Sequence, residues 1–193
     1  MPLLQGGSVT LLSPQRIGSS GSSQINAEQL MSTINAIKPT AFIIIPQLLL
    51  MFIKLLSSGY KLPDSIRFIA MGGAPVSLKL LTLAQQLNIP VFEGYGLSEA
   101  ASVVAVNNPQ AHKIGSVGRV LNTHSIKIIS DKKNEEGELF IKGSLFNGYL
   151  GGKAIDPHEF YATGDIGKLD SDGFLTITGR KKNIINTSYG RNI

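Results

Sequence analysis

The sequence predicts an α/β fold in which a mainly parallel sheet with flanking helices is followed by a small β-barrel-like subdomain. Strand and helix signals alternate through the first 110 residues, which is typical of helices packed on a parallel sheet. After residue 111, short alternating runs separated by turn residues replace the helices. The charge density changes at the same place, since residues 1–110 carry six basic and four acidic side chains and residues 111–193 carry twelve and nine.

Three helices and three strands are predicted in the first part of the chain. Asn26 can cap a helix whose apolar residues recur at three- and four-residue steps, and Ser77 can cap another. Pro46 stands where the first turn of a helix tolerates proline. The predicted elements are a helix over 27–37, a buried parallel strand over 41–45, a helix from 46 to about 57, a strand over 66–71, a helix over 78–87 and a strand that begins at 91.

The second part of the chain is predicted to be all β. Alternating or β-branched runs over 125–129, 138–142 and 174–178 predict strands. Polar segments that end in glycine, at 134–137 and 170–173, predict hairpin turns between them. The Ser- and Gly-rich stretch over 19–23 predicts a flexible surface loop.

The composition excludes several classes of function. The 193 residues contain no cysteine, which excludes disulfides, thiolate metal sites and a cysteine nucleophile, and the three histidines do not pair at helical ligand spacing. Most of the net charge of +5 comes from residues 179–193, which hold four basic side chains and no acidic one. The rest of the chain carries 14 basic and 13 acidic residues, so we expect no nucleic-acid partner.

No transmembrane segment is expected. The most apolar stretch, over 40–53, is uncharged but is interrupted by Pro46 and followed by Lys54. Apolar runs this short are more typical of buried strands and helices than of membrane spans. The first residues lack the basic region and the apolar run of a signal peptide. The sequence therefore predicts a cytoplasmic protein, and peripheral contact with a membrane is left open.

The first candidate site is the segment MGGAP at residues 71–75, which lies between a predicted strand and a predicted helix. Ligands of open α/β sheets bind at the carboxyl ends of the strands, and two glycines allow a ligand to approach the backbone. The alternative is an ordinary turn between a strand and a helix. It is not a phosphate-binding P-loop, because no Gly-Lys-Ser/Thr follows.

The second candidate is the segment FEGYGLSEA at residues 92–100, which follows the next predicted strand. Its aromatic ring can stack on a base, its hydroxyl can donate to a phosphate, and its carboxylate can hold Mg²⁺ against phosphate oxygens. A helix-capping serine followed by a glutamate in the first turn is the alternative interpretation.

Two further candidates lie in the second part of the chain. In YATGD, at residues 161–165, one aspartate could accept hydrogen bonds from two ribose hydroxyls, or it could be a turn aspartate. In GRKK, at residues 179–182, the cations could contact a ligand or could belong to a solvated basic tail.

The order and spacing of these segments resemble the adenylate-forming (AMP-binding) superfamily, and most of all its long-chain fatty acyl-CoA synthetases. The matching segments cover nearly the whole chain. They are IKPTAFIIIP at 37–46, GGAP at 72–75, YGLSE at 95–99, GSVG at 115–118, GELFIKG at 137–143, NGYL at 147–150, YATGD at 161–165 and LDSDGFLTITGRKKN at 169–183.

The resemblance implies roles for individual residues. Those that would bind the nucleotide are Gly73, Ala74, Pro75, Glu93, Gly94, Tyr95, Gly96, Leu97, Ser98, Asp165 and Arg180. Among them Tyr95 would stack on the adenine and Asp165 would hold the ribose hydroxyls. The catalytic residues would be Ser98, which would contact the α-phosphate, Glu99, which would coordinate Mg²⁺, and Lys182, about which a C-terminal lid domain would rotate.

The resemblance also implies how the chain is divided. Residues 1–111 would form part of an α/β adenylate-binding subdomain, residues 112–178 a small β-barrel subdomain, and residues 179–193 the hinge and the start of a C-terminal lid. Residues 186–193 resemble the segment that approaches the CoA thiol during thioester formation. The family's phosphate loop and lid lysine do not occur in these 193 residues, so we expect a central fragment that is inactive by itself.

The function implied is that of an ATP-dependent, AMP-forming acid–thiol ligase. The enzyme would activate a carboxylic acid, here a fatty acid, as an acyl adenylate and transfer the acyl group to coenzyme A. Its cofactors and substrates would be ATP or AMP, Mg²⁺ and CoA. Two alternatives remain open from the sequence: an adenylation domain that loads an amino or aryl acid onto a carrier protein, and a catalytically silent nucleotide-binding module.

Overall fold

The computed structural model describes residues 3–20, 24–130 and 136–183. Its helices are α1 (Ala27–Ile37), α2 (Pro46–Ser57) and α3 (Leu78–Gln86). The strands are β1 (Ser19–Ser20), β2 (Gln24–Ile25), β3 (Ala41–Ile44), β4 (Phe68–Met71), β5 (Val91–Tyr95), β6 (Ala105–Val106), β7 (Arg119–Val120), β8 (His124–Ile129), β9 (Gly137–Gly143), β10 (Tyr161–Leu169) and β11 (Leu175–Arg180).

Two larger sheets organise the described residues. The first has the order β3-β4-β5-β6-β7, in which β3, β4 and β5 are parallel and β6 and β7 are antiparallel additions. The second is antiparallel throughout and has the order β11-β10-β9-β8. The predicted α/β unit with a parallel sheet, followed by a smaller all-β unit, is confirmed.

The sequence signals at the helix ends act as predicted. The Asn26 side chain accepts a hydrogen bond from the Gln29 N–H at 2.9 Å, which caps α1. The Ser77 hydroxyl accepts one from the Leu80 N–H at 3.3 Å and caps α3. Pro46 occupies the first position of α2, where its missing N–H costs no helical hydrogen bond.

Each sheet has its own hydrophobic core. The first core lies between the helices and one face of the parallel sheet, where Leu49 and Phe52 of α2 and Ile69 of β4 are fully buried. The second lies against the antiparallel sheet and includes Leu139 and Leu175, also fully buried. Burial of side chains this size contributes about 1.5–3 kcal/mol each, so the cores hold the strands that carry the candidate site.

One expectation about burial is wrong. The run over 41–45 is predicted to form a buried parallel strand, but Ile43 in β3 is 81% exposed. The physical reason is that β3 is the edge strand of the five described strands, and the helices cover only the face that carries Ile44.

The longest strand, β10, was not predicted. Its sequence contains two glycines and no sustained alternation, yet it pairs with β9 on one side and β11 on the other. Asp165 therefore lies in a strand, and the alternative of a turn aspartate is wrong. The hairpin turn predicted at 170–173 is confirmed, because it joins β10 to β11 and Asp170 accepts hydrogen bonds from the Asp172 and Phe174 N–H groups.

Other expectations fall partly outside the described residues. Of the loop predicted at 19–23, Ser19–Ser20 forms β1, which pairs with β2, and 21–23 lie outside the description. The same holds for 134 and 135 of the other predicted turn, and for 184–193, which include the predicted thioester-forming segment. Across the described ranges, no helix has the length and apolar character needed to cross a bilayer.

The two sheets are joined through the segment that surrounds β7. The Phe174 ring contacts the cations of Lys113 and Arg119, at 5.6 Å and 4.9 Å from its centroid. The Val117 N–H donates to the Leu175 carbonyl at 2.8 Å, and the Leu175 N–H donates to the Gly118 carbonyl at 2.9 Å. β7 itself belongs to the first sheet, and the domain boundaries at 111 and 178 stay predictions.

Candidate functional site

The two glycine-containing segments predicted as a site meet at the carboxyl ends of β4 and β5. A side-chain carbon added at Gly72 would lie 3.3 Å from the Gly94 carbonyl oxygen, so the two backbones are in contact there. Gly73 has a φ of 82°, in the left-handed region that favours glycine. Gly73, Ala74 and Pro75 are exposed beyond this contact.

Gly96 allows the chain to fold tightly after β5. A Cβ at this position would stand 1.6 Å from the Ser102 carbonyl oxygen, which no side chain can tolerate. The close approach is held by hydrogen bonds from the Ser102 N–H to the Leu97 carbonyl, at 3.2 Å, and from the Val104 N–H to the Tyr95 carbonyl, at 2.8 Å. The resulting turn presents Ser98, which is exposed, and Glu99, which is partly exposed.

The centre of the site is the Asp165 carboxylate, which is 3% exposed. The Tyr95 hydroxyl donates to its Oδ2 at 2.6 Å, and the Arg180 Nε–H donates to its Oδ1 at 2.8 Å. The three side chains come from β5, β10 and β11 and are 70 and 15 residues apart in sequence. These contacts bring together three of the four segments predicted from the sequence, and the fourth meets them at Gly94, next to Tyr95.

An irregularity in β10 turns Asp165 toward Tyr95. The pairing of β10 with β9 shifts register between Ala162 and Ile166, and Gly164 has a φ of 73°. The Thr163 hydroxyl donates to the Leu139 carbonyl at 2.8 Å and accepts from the Asp165 N–H at 3.0 Å. These contacts fix the backbone on which the Asp165 carboxylate stands.

Electrostatics keep Tyr95 a hydrogen-bond donor. Burial, and next the Asp165 carboxylate that accepts its hydroxyl, raise the pKa of Tyr95 well above the usual value of 10.0. The hydrogen bond to Asp165 also raises the pKa of Arg180, so the guanidinium stays charged. The pair therefore places a neutral donor and a cation on one buried carboxylate.

Glu99 is held by a segment to which the sequence had assigned no role. The Tyr149 hydroxyl donates to Glu99 Oε1, and the Phe146 N–H donates to the Glu99 carbonyl at 2.9 Å. The Tyr149 hydrogen bond lowers the pKa of Glu99, and the Arg180 charge adds a smaller effect in the same direction. Glu99 is therefore an ionised carboxylate within electrostatic range of Arg180.

Glu93 differs from Asp165 because only one of its own two carboxyl oxygens is matched by a donor. Its Oε2 is buried without a hydrogen-bond partner in the part of the chain that the structure describes. Burial raises its pKa from 4.5 to about 7, and the Gly115 N–H opposes the shift. Its neighbour across the sheet is Met71, which begins the first loop.

Asn107 is a second residue that sequence reasoning missed. It is fully buried, its Nδ2 donates to the Ser116 carbonyl at 2.7 Å, and its Oδ1 accepts from the Lys113 N–H at 3.0 Å. Its own N–H donates to the Glu93 carbonyl at 2.9 Å. Asn107 thus ties the segment around Lys113–Ser116 to β5, and a lone asparagine in a loop gives no sequence signal for such a role.

Lys182 lies away from these contacts, as an exposed residue in the turn Lys181–Asn183 that follows β11. Its predicted role as a hinge stays a prediction. A cavity of about 500 Å³ lies at the opposite end of β4 and β5, near Tyr60, Pro63 and Pro90, and none of the predicted site residues line it.

The residues present fit a nucleotide with Mg²⁺. The Asp165 carboxylate, which two donors hold in place, is an acceptor suited to the two hydroxyls of a ribose. The half-buried Tyr95 ring lies next to the backbone contact of Gly72 with Gly94 and is suited to stack on a base. In the described ranges no group of three or more His, Asp or Glu side chains could hold a metal. A cation at Glu99 would therefore depend on phosphate oxygens and water for its other ligands, which is the usual mode for Mg²⁺.

Comparison with known sequences assigns the chain to a family. Residues 1–150 match the AMP-binding enzyme family. The chain is 39% identical over 137 residues to a long-chain-fatty-acid–CoA ligase of Mycobacterium bovis, a match that covers 68% of this chain and 22% of the relative. It is 36% identical over 154 residues to a 2-succinylbenzoate–CoA ligase of Bacillus subtilis, covering 74% of this chain and 32% of the relative.

Solved structures agree with this result. The o-succinylbenzoate CoA synthetase of Bacillus subtilis, in complex with its acyl-adenylate intermediate, superimposes with a TM-score of 0.76 at 30% identity and covers 88% of this chain and 37% of that one. A Mycobacterium tuberculosis fatty acyl CoA synthetase gives 0.72 at 26% identity and covers 89% and 36%. The chain spans 22% and 32% of the length of the two curated relatives. By its match over residues 1–150 and by its fold, the chain belongs to the AMP-binding enzyme family of adenylate-forming ligases.

Proposed function

We propose that the chain carries the nucleotide-binding part of an acyl-CoA ligase, which activates a carboxylic acid as an acyl adenylate and transfers the acyl group to CoA. The observation that carries this proposal is the convergence of Tyr95, Asp165 and Arg180 beside the loops that follow β4 and β5. It combines a buried acceptor for a diol, a ring for a base and a cation for a phosphate.

Asp165 is proposed to hold the two ribose hydroxyls. Its two oxygens already accept donors at 2.6 Å and 2.8 Å, so the carboxylate is oriented for a pair of hydrogen bonds. The Arg180 side chain is 67% exposed and can turn from Asp165 toward a phosphate when the ribose arrives. Hydrogen bonds to a charged acceptor are the stronger kind, which suits a residue that must retain the nucleotide.

The base and the phosphates are assigned to neighbouring residues. Tyr95 would stack on the adenine, with Glu93, Gly94 and the Gly73–Pro75 loop around it. Ser98 would donate its hydroxyl to the α-phosphate, and Glu99 would hold Mg²⁺. Bound Mg²⁺ would neutralise charge that develops on the phosphate oxygens. Gly96 and Leu97 would contribute backbone contacts in the same turn.

The whole protein's reaction would be two displacements. In the first, an oxygen of the carboxylic acid attacks the α-phosphorus of ATP, and the bond to pyrophosphate breaks. In the second, the CoA thiol loses its proton and attacks the acyl carbon, and AMP leaves. Within this chain, Ser98 and Arg180 would donate to the α-phosphate oxygens, where preorganised donors stabilise the developing charge.

We propose a fatty acid as the acid that is activated, supported by the identity of 39% to a long-chain-fatty-acid–CoA ligase. An aryl acid is the second candidate, because a 2-succinylbenzoate–CoA ligase is 36% identical over a longer stretch. Adenylate formation by the full-length enzyme with each class of acid distinguishes the two. The 193 residues by themselves are expected to be inactive, and the enzyme is proposed to act in the cytoplasm.

The division of the chain completes the proposal. Residues 1–111 and 112–178 would form the two subdomains of the adenylate site, and residues 179–193 would lead into a lid that rotates about Lys182. Support comes from the two sheets, each with its own core, and from the position of Lys182 in the turn that follows the last described strand.

The assignment of Asp165 is tested by AMP binding to the chain, measured by calorimetry. Asp165→Ala should weaken binding by about 1.5–3 kcal/mol, the range for hydrogen bonds to a charged group. Asp165→Asn, which keeps the shape of the side chain and removes its charge, should also weaken AMP binding. The control is Asp64→Ala, an exposed aspartate near the distant cavity. Unchanged AMP affinity of a folded Asp165→Ala chain would refute the ribose assignment.

A further inference from the structure

We infer that Tyr149 is a positioning residue for Glu99, the carboxylate to which the proposed function assigns Mg²⁺, and the inference rests on that assignment. Tyr149 lies 50 residues from Glu99 in sequence, yet its hydroxyl donates to Glu99 Oε1. A hydrogen bond on one oxygen limits rotation of the carboxyl group, so the other oxygen meets a cation in one orientation. Partners of this kind, beyond the metal ligand itself, are worth 10–100-fold in metal affinity.

A second contact shows that the whole segment, and not only one side chain, holds Glu99. The Phe146 N–H donates to the Glu99 carbonyl at 2.9 Å, so the backbone and the side chain of Glu99 are both tied to residues 146–149. The Phe146 ring packs edge-on against Tyr149, with centroids 5.0 Å apart, and against Tyr161 of β10, at 6.1 Å. Tyr149 is thereby attached to the strand that carries Asp165.

The backbone of this segment is built to present Tyr149. The Ile155 N–H donates to the Asn147 carbonyl at 3.0 Å, and the Gly152 N–H donates to the Tyr149 carbonyl at 2.9 Å, which closes a compact turn. Gly148 has a φ of 126°, and a Cβ there would stand 2.8 Å from the Lys153 carbonyl oxygen. Only glycine suits the position before Tyr149, so the geometry is specified by the sequence NGY.

The chemistry favours a neutral donor at this place. A lysine or arginine would also bind Glu99, but its positive charge would oppose a divalent cation on the same carboxylate. The Tyr149 hydroxyl fixes the carboxylate without adding charge. Tyr149 is 64% exposed, so the loss of its hydroxyl should leave the core of the fold intact.

The test is the affinity of the chain for ATP with and without Mn²⁺, a spectroscopic stand-in for Mg²⁺, measured by calorimetry and by electron paramagnetic resonance of the bound Mn²⁺. Tyr149→Phe should weaken Mn²⁺ binding to the ATP complex 10–100-fold and leave ATP affinity in EDTA unchanged. Tyr60→Phe is the matched control, because the Tyr60 hydroxyl donates to Glu28 at 3.3 Å, far from the site. In a Glu99→Gln background, Tyr149→Phe should have no further effect.

Each other outcome overturns the inference in a distinguishable way. Unchanged or tighter Mn²⁺ binding by Tyr149→Phe means that the hydroxyl does not orient the metal ligand. An equal loss of ATP affinity in EDTA means that Tyr149 only supports the fold. If Glu99→Gln leaves Mn²⁺ binding intact, the assignment of the metal to Glu99 fails as well. A wild-type chain that binds no ATP in either condition rejects the proposal that these residues carry the nucleotide-binding part of the enzyme.

Discussion

The buried carboxyl of Glu93, whose Oε2 has no hydrogen-bond partner in the described part of the chain, should make the stability of the chain depend on pH. Burial raises the pKa of Glu93 from 4.5 to about 7 in the folded chain, whereas the unfolded chain retains the ordinary value. Between pH 4.5 and pH 7 the unfolded state therefore releases a proton that the folded state keeps. Since stability falls with pH wherever the folded state binds more protons, the penalty grows through this window and is complete above about pH 7.

The magnitude follows from the same pKa values. A rise in the pKa of Glu93 from 4.5 to about 7 corresponds to about 3 kcal/mol, because each pKa unit is worth about 1.4 kcal/mol. Because Glu93 is only half-buried, solvent screening reduces this figure, and we expect about 2 kcal/mol. The glutamine side chain of the Glu93→Gln variant cannot ionise. The unfolding free energy of this variant relative to wild type should therefore rise by that amount as the pH increases from 4.5 to 8.

The measurement is urea unfolding of both proteins at half-unit steps over this pH range, and the quantity compared is the difference in unfolding free energy. The difference is needed because burial lowers the pKa of the nearby His112, which stabilises the chain as the pH rises and opposes the Glu93 effect in wild type. His112 is present in both proteins and cancels. Glu159→Gln, at an exposed site, is the control. A difference that stays constant over the range would refute the proposed state of Glu93.

Two further predictions concern the framework of the site. Gly96→Ala should abolish AMP binding in calorimetry, because its Cβ would overlap the Ser102 carbonyl, whereas Gly179→Ala, with open space at that position, should bind AMP like wild type. Asn107→Ala should lower the free energy of unfolding in urea by about 2–4 kcal/mol, since it leaves the Ser116 carbonyl and the Lys113 N–H without the buried amide. A loss below about 0.5 kcal/mol would mean that water replaces the amide there.

Local signals in the sequence were sufficient for most of the fold. Asn26 and Ser77 start helices because a side-chain oxygen at that point satisfies a free N–H group of the first turn, a contact that depends on a few neighbouring residues. The alternation of strand and helix signals predicted β3, β4 and β5 because this pattern, too, depends only on residues close in sequence. The candidate site was predicted as separate segments, and the resemblance to a family supplied the link between them.

What the sequence could not supply depends on contacts between distant residues. The strand character of β10 comes from pairing on both sides with β9 and β11, which compensates for its two glycines. The exposure of Ile43 depends on which strand is at the edge of the sheet. The roles of Asn107 and Tyr149 arise only when their partners are placed, and neither residue type predicts them by itself.

The position of the site across two sheets has a consequence for how the chain binds a ligand. Tyr95 and Glu99 stand on or after a strand of the first sheet, whereas Asp165 and Arg180 stand on the second. The distance between the two groups is therefore set by the contacts that join the sheets, among them the Phe174 ring with its two cations and the Tyr149 hydrogen bond. A nucleotide that contacts both groups adds a further link between the sheets. Ligand binding and the attachment of the two sheets should consequently reinforce each other, because whatever binds only the joined arrangement stabilises it.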